Sequence, residues 1–155
     1  MLFRSGKVDG LIIEGPSAGG HNAPPRGHPK LSSEGEPVYG VRDEIDLTAI
    51  QSLELPFWLA GSYGSPRKLQ EATAAGASGV QVGLLFAFCE ESGLREDLKR
   101  DIIQRALQGQ LRVFTDPIAS PAGFPFKALV LKGTLSESNI YQKRYRHCED
   151  RKSVV

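Results

Sequence analysis

Three short apolar runs that close on glycine govern what this chain can fold into: Leu11-Ile-Ile-Glu-Gly15, Phe57-Trp-Leu-Ala-Gly61 and Gly79-Val-Gln-Val-Gly83. Brief apolar runs bounded by glycine, without strict alternation, are what the buried strands of a parallel sheet require. A glycine at the carboxyl end of such a strand leaves backbone N–H groups open to close approach by a phosphate. The first run leads into Ala18-Gly-Gly-His21, which adds the side-chain type that titrates near neutral pH. The pattern points to a phosphate-anchored cofactor beside a base.

The segments between these runs read as helices and one long loop. Residues 15–43 carry Pro24-Pro25, Gly27, Pro29, Gly35 and Pro37 and read as a structureless loop, of the kind that is uncommon in a compact domain unless it serves function. Asp46 is placed to cap a helix through Leu47, Ile50 and Leu53, which Pro56 stops. Ser65-Pro66 opens a second helix that Gly76 ends, and Gly79 to Phe86 reads as the next strand. Phe57 to Phe86 is therefore one βαβ crossover. Gly93 to Gln108 is an amphipathic helix, with Leu94, Leu98, Ile102, Ala106 and Leu107 opposite Glu96, Lys99 and Arg100. From Pro117 onward the chain reads as loop, with one strand at Lys127 to Leu131 and a charged tail. This divides the chain into residues 1–116 and a C-terminal extension, 117–155.

Composition excludes several classes. The net charge of +1 exerts no strong pull toward nucleic acid or anionic membrane, and 40% apolar with 24% charged residues is the balance of a globular protein. The two cysteines, Cys89 and Cys148, stand far apart in no metal-like spacing, and no apolar stretch approaches the roughly 20 residues of a membrane span. The expectation is a cytoplasmic protein without a metal site, whose function resides in a small-molecule site. Glu90-Glu91 reads as a solvated loop pair because adjacent residues do not face one another. His28 falls in the Pro/Gly loop and His147 in the tail. The basic run from Gln142 to Lys152 is offset by Glu149 and Asp150 and reads as a solvated terminus rather than a nucleic-acid patch.

Several motifs carry a resemblance. Asp9-Gly-Leu-Ile-Ile-Glu-Gly-Pro-Ser-Ala-Gly-Gly-His-Asn22, Pro56-Phe-Trp-Leu-Ala-Gly61, Gly76-Ala-Ser-Gly-Val-Gln-Val-Gly-Leu-Leu-Phe86, Phe88-Cys-Glu-Glu-Ser-Gly93 and Ser120-Pro-Ala-Gly-Phe-Pro-Phe126 together resemble the nitronate monooxygenase family, formerly the 2-nitropropane dioxygenases. The likeness runs to about Cys148. It implies an FMN-dependent oxidoreductase with a TIM barrel, in which the Glu-Gly…Ala-Gly-Gly-His segment sits on the sixth of eight strands. A complete barrel typically needs about 250 residues, and this chain has 155. The resemblance therefore implies a partial (β/α)8 barrel, strands six to eight with their helices, plus an extension that ends unlike the family. Such a piece is expected to be inactive alone and to need the missing barrel half or self-association.

The resemblance also assigns roles. Taken alone, a histidine beside a glycine-rich turn reads more readily as a loop residue than as a base. The family's catalytic histidine aligns with His21, implying that His21 removes the proton alpha to a nitro group and leaves a nitronate for the flavin to oxidise with molecular oxygen. Ala18, Gly19 and Gly20 of the same motif, Gly61-Ser62 and Gly83-Leu84 would line the FMN site, the last two pairs through backbone N–H groups on its phosphate. Ser62 stands where the family has glycine, adding a Cβ where close approach or positive φ is called for. Leu84 stands where it has threonine, removing a hydroxyl. Gln81, polar in an apolar run, is either a group beside the isoalloxazine ring or a cross-barrel hydrogen bond. Glu14 has an equal claim to fixing the loop that holds His21.

Flavin-type enoyl-acyl-carrier-protein reductases share the Glu-Gly…Gly-Gly-His pattern, and the Asn22-Ala-Pro-Pro-Arg26 extension favours the monooxygenase branch. A non-enzymatic remnant, or a subunit completing a barrel with a second chain, is the reading without catalysis.

Overall fold

A computed structural model describes residues 8–120 and 122–144. The expectations placed on His147, Cys148 and the charged tail beyond Arg144 lie outside those residues. The architecture is mixed α/β. Strands β1 (Leu11–Glu14), β2 (Phe57–Ala60) and β3 (Gly79–Gln81) form a parallel sheet in the order β1-β2-β3. β4 (Val113–Asp116) and β5 (Phe126–Leu129) form a separate antiparallel ribbon.

Capping chemistry sets the helices of the parallel unit. Asp46 accepts the Ala49 N–H at 3.0 Å and starts α1 (Leu47–Gln51). Ser65 accepts from Lys68 N, with Pro66 at the first position of α2 (Pro66–Ala74), and Gly76 leaves that helix at φ +85°. α2 carries the chain from β2 back to β3, the expected crossover. Phe57, Leu59, Ala72 and Ala77 are buried, and Leu11, Ile13, Leu47, Ile50 and Val80 pack against them. This core lies between one face of the sheet and its helices.

Register fixes what the opposite face presents. Ile12, Trp58 and Gly79 align in one row and Glu14, Ala60 and Gln81 in the next, toward the carboxyl ends. Ile12 is 58% exposed and Gln81 is exposed, so this face has little cover.

The structure corrects several expectations. The run Gly79 to Phe86 is not one strand: β3 stops at Gln81, and Leu84–Ala87 is a helical turn, α3, started by Gly83. The cause is the neighbour, because β2 ends at Ala60 and Gly61 turns away at φ +104°, leaving the ladder no partner beyond Gln81. Lys99, expected on the solvated face of α4 (Glu96–Leu107), is 4% exposed. Its ammonium donates to the Cys89 and Glu90 carbonyls at 3.0 and 3.2 Å and pairs with Glu96 at 3.1 Å, so its charge is compensated where it is buried. The strand expected at Lys127 to Leu131 is β5, running Phe126–Leu129; its partner β4, which pairs Val113 with Leu129 and Asp116 with Phe126, and a short helix, α5 (Ser138–Lys143), were not expected.

The 15–43 segment has few regular elements but is internally tied. Leu31 and Pro37 form a bridge, and a 3-10 turn spans Val41–Asp43. The Asp43 carboxylate accepts the N–H groups of Arg26 and Gly40, each at 2.8 Å. Glu36 accepts Thr115 N at 2.6 Å, and Arg112 pairs with Glu34, docking this loop on the ribbon. On the same side Lys127 donates to Thr115 Oγ1 at 2.9 Å, and burial pushes its pKa down.

The two backbone bonds, Gly40 first and Arg26 second, hold Asp43 below the usual carboxylate range. A depressed native pKa contributes stability that is present above the unfolded value, about 3.9, and is lost as pH falls through the native value. Hydrogen-exchange protection of the Arg26 and Gly40 amides should therefore decline below about pH 4, before that of β2. Protection unchanged to the acid unfolding point would rule out this tether.

Candidate functional site

The carboxyl ends of β1 and β2 meet in a cleft of about 290 Å³ lined by Gly15, Ser17, Glu44, Gly61, Ser62 and Lys68. Its floor is set by a close contact. Gly61, at φ +104°, faces the turn after β1 so tightly that a Cβ there would lie 2.8 Å from Ala18 N and 2.9 Å from Ser17 Oγ. Ala18 is buried and its N–H donates to Gly15 O at 3.0 Å. Gly61 thus has a structural duty beside any role toward a ligand.

Ser62 follows at φ +60°, a left-handed conformation that a non-glycine residue adopts at a cost. The departure from glycine noted in the sequence falls on a backbone that calls for glycine. Gly83, at the end of the next strand, is the opposite case, because a Cβ there would meet nothing within 4 Å. Among the described residues the backbone N–H groups of Ser62, Gly64 and Gly83 make no hydrogen bond. Leu84 is 60% exposed. Adjacent strand ends thus offer free donors and open space, which fits a bound phosphate.

His21 sits apart from that cleft, in a bridge to the ribbon. Gly20, at φ +76°, accepts Lys127 N at 2.9 Å through its carbonyl, Asn22 N donates to Pro125 O at 2.8 Å, and His21 pairs antiparallel with Phe126. The imidazole is exposed. Its Nε2 lies 2.7 Å from Ser120 Oγ, and its ring meets Phe126 edge-on at 4.9 Å between centroids. Gly19 is exposed on the approach to this bridge.

Two residues of this unit were not singled out in the sequence. Ser120 is 8% exposed and reaches His21 from 99 residues away. Asn22 is 3% exposed, donates Nδ2 to Pro16 O at 3.2 Å, and has a buried Oδ1 with no partner among the described residues. Both stand inside the quoted motifs, but nothing local marks them. Their roles depend on contacts across the fold.

The candidates thus fall into four groups. Ala18, Gly61 and Ser62 come together at the ends of β1 and β2, whereas Gly83 and Leu84 follow β3. Gln81 shares its row with Glu14, separated by Ala60. His21 is engaged by Ser120 and Phe126, and Gly20 before it by Lys127. Among the described residues no cluster of three His, Cys, Asp or Glu could hold a metal ion, and no helix is long and apolar enough to cross a membrane.

Parallel strands whose carboxyl ends carry glycine turns and a cleft place this chain among α/β proteins, a class in which ligands bind outside the carboxyl ends of the strands. The chain belongs to the nitronate monooxygenase family, an oxidoreductase family, whose model matches residues 2–121. It is 31% identical over 104 residues to a probable nitronate monooxygenase of Bacillus subtilis (strain 168), covering 67% of this chain and 28% of that protein. Over 101 residues it is also 31% identical to (3aS,4S,5R,7aS)-5-hydroxy-7a-methyl-1-oxo-octahydro-1H-indene-4-carboxyl-CoA dehydrogenase of Rhodococcus jostii (strain RHA1), covering 65% of this chain and 24% of that protein. The chain spans about a quarter of the length of these relatives.

Proposed function

We propose that this chain supplies strands six to eight of an FMN-dependent (β/α)8 barrel that oxidises alkyl nitronates with molecular oxygen. The single observation that carries the reading is the pair of adjacent strand ends with free N–H groups at Ser62, Gly64 and Gly83, in a chain of this family. Those donors would hold the FMN phosphate, as in other barrels whose phosphate site follows strands seven and eight. FMN, when bound, accepts electrons from the substrate. His21 removes the proton alpha to the nitro group, and Gln81 and Glu14 face the barrel interior from one row. The uncovered sheet face and the open edges of β1 and β3 call for further strands, without which the chain is inactive.

Supplied with those strands, the chain should bind FMN, and Ser62→Gly with Leu84→Thr should tighten binding by about 1–2 kcal/mol. That is the scale of one recovered hydrogen bond to the phosphate, while Ser62→Gly relieves strain already present at φ +60° and so adds to folding stability. Flavin titration by absorbance checks it, and unchanged affinity in the double variant would count against this phosphate site.

The Rhodococcus relative, named as a dehydrogenase of a carboxyl-CoA compound, gives one observation in favour of a second reading, an oxidoreductase of acyl thioesters such as a flavin-type enoyl reductase. NADH oxidation dependent on an enoyl thioester would select it over the nitronate reading.

A further inference from the structure

We infer that Ser120 is the positioning residue of the His21 base: its buried hydroxyl accepts the Nε2 proton and so leaves Nδ1 as the nitrogen offered to substrate. The inference rests on the proposed role of His21 and deepens it. The 2.7 Å link between His21 Nε2 and Ser120 Oγ is the ring's hydrogen bond among the described residues, and Phe126 packs against the ring edge-on. Ser120 is 8% exposed and its hydroxyl also accepts Ala122 N at 3.2 Å, so the bond ties an exposed ring to a buried, already hydrogen-bonded hydroxyl.

The direction of the bond follows from what a base must do. A hydroxyl has one proton and two lone pairs, and a neutral imidazole has one donor and one acceptor nitrogen. If Ser120 donated to Nε2, the proton would sit on Nδ1 and the ring could take up another only at Nε2, breaking the bond that holds it. If Nε2 donates to Ser120, Nδ1 is free to accept the substrate's proton, and the same bond persists in the imidazolium. Only the second arrangement needs no reorganisation during proton uptake. Ser120, 99 residues away in sequence, and Phe126 both meet the ring, so a distant segment orients the base.

Nitrogen-15 solid-state spectroscopy reads this directly and does not depend on the association state. With the full chain labelled at histidine, and His28→Gln and His147→Gln removing the other two signals, the proton should be found on Nε2, hydrogen-bonded, with Nδ1 bare. Ser120→Ala should move the Nε2 signal to the position of an unbonded ring, and Ser120→Thr should restore it. A proton on Nδ1 in the otherwise native chain, or an Nε2 signal that Ser120→Ala leaves in place, would overturn the inference. Should Ser120→Ala fail to fold, the native and Ser120→Thr spectra still decide, since both must show a bonded Nε2–H.

A kinetic arm separates this inference from the reading beneath it. In the completed barrel Ser120→Ala should lower kcat on a neutral nitroalkane by roughly tenfold or more, the worth of a lost orienting bond, and Ser120→Thr should recover it. Turnover on a pre-formed nitronate should change little. Absence of turnover in the native barrel would defeat the nitronate reading while the ring signals still report on Ser120.

Discussion

Replacing His21 with asparagine in a completed barrel should reduce turnover on a neutral nitroalkane by roughly 10²- to 10⁴-fold, the usual worth of a general base. Asparagine retains a short polar side chain in the bridge to Phe126 but has no nitrogen able to take up a proton. Turnover on the pre-formed nitronate should fall much less, because that substrate has already lost the proton in question. Steady-state rates on both substrates check the result. Equal losses would mark His21 as a residue that binds or supports structure, and would place the base elsewhere in the site.

Gly61→Ala should be the most damaging of the glycine substitutions at the strand ends. Its φ of +104° costs a non-glycine residue about 1–3 kcal/mol, and overpacking adds a similar amount. The new Cβ would lie 2.8 Å from Ala18 N, a backbone atom already committed to Gly15 O, and so cannot be relieved by a side-chain rotation. The turn after β1 must shift, and His21 follows it by three residues. Denaturation monitored by the single tryptophan, Trp58 on β2, should show a large loss of stability.

Gly83→Ala is the matching control. Nothing lies within 4 Å of its Cβ position and its φ is −117°, so folding should be unharmed or slightly favoured, by about 0.4–1 kcal/mol. If the open space at Gly83 receives a phosphate, the same substitution should weaken flavin binding. The pair separates a glycine required by packing from one kept clear for a ligand. Equal stability losses in the two variants would contradict both assignments.

Much of the parallel unit was legible in the sequence because its signals are local. Asp46, Ser65 with Pro66, and Gly76 each act within one turn of their helix, and the apolar runs at 11, 57 and 79 are short and glycine-bounded. The family was legible for a similar reason, since its motifs are contiguous. The end of β3 was not, because a strand stops where its neighbour stops, and β2 gives no ladder past Ala60. Lys99 was assigned to the wrong face because periodicity takes a lysine as solvated, whereas three oxygen partners from Cys89, Glu90 and Glu96 compensate its burial. The β5 strand was expected, but its partner β4 was not, because strand pairing across an intervening loop depends on partner contacts and not on a strong local turn signal.

The sequence by itself determined the family, the order of the parallel strands and their helices, and the residue types gathered at the strand ends. Those follow from backbone preference and apolar patterning, which act over a few residues. Only the tertiary structure decided that Gly61 is bound to the Ser17-Ala18 turn while Gly83 is open, that Ser62 occupies a left-handed conformation, and that Ser120 and Phe126 hold the His21 ring. The Gly61 and His21 features are contacts between segments distant in sequence, whose energy depends on separations of a few tenths of an ångström that no local pattern encodes.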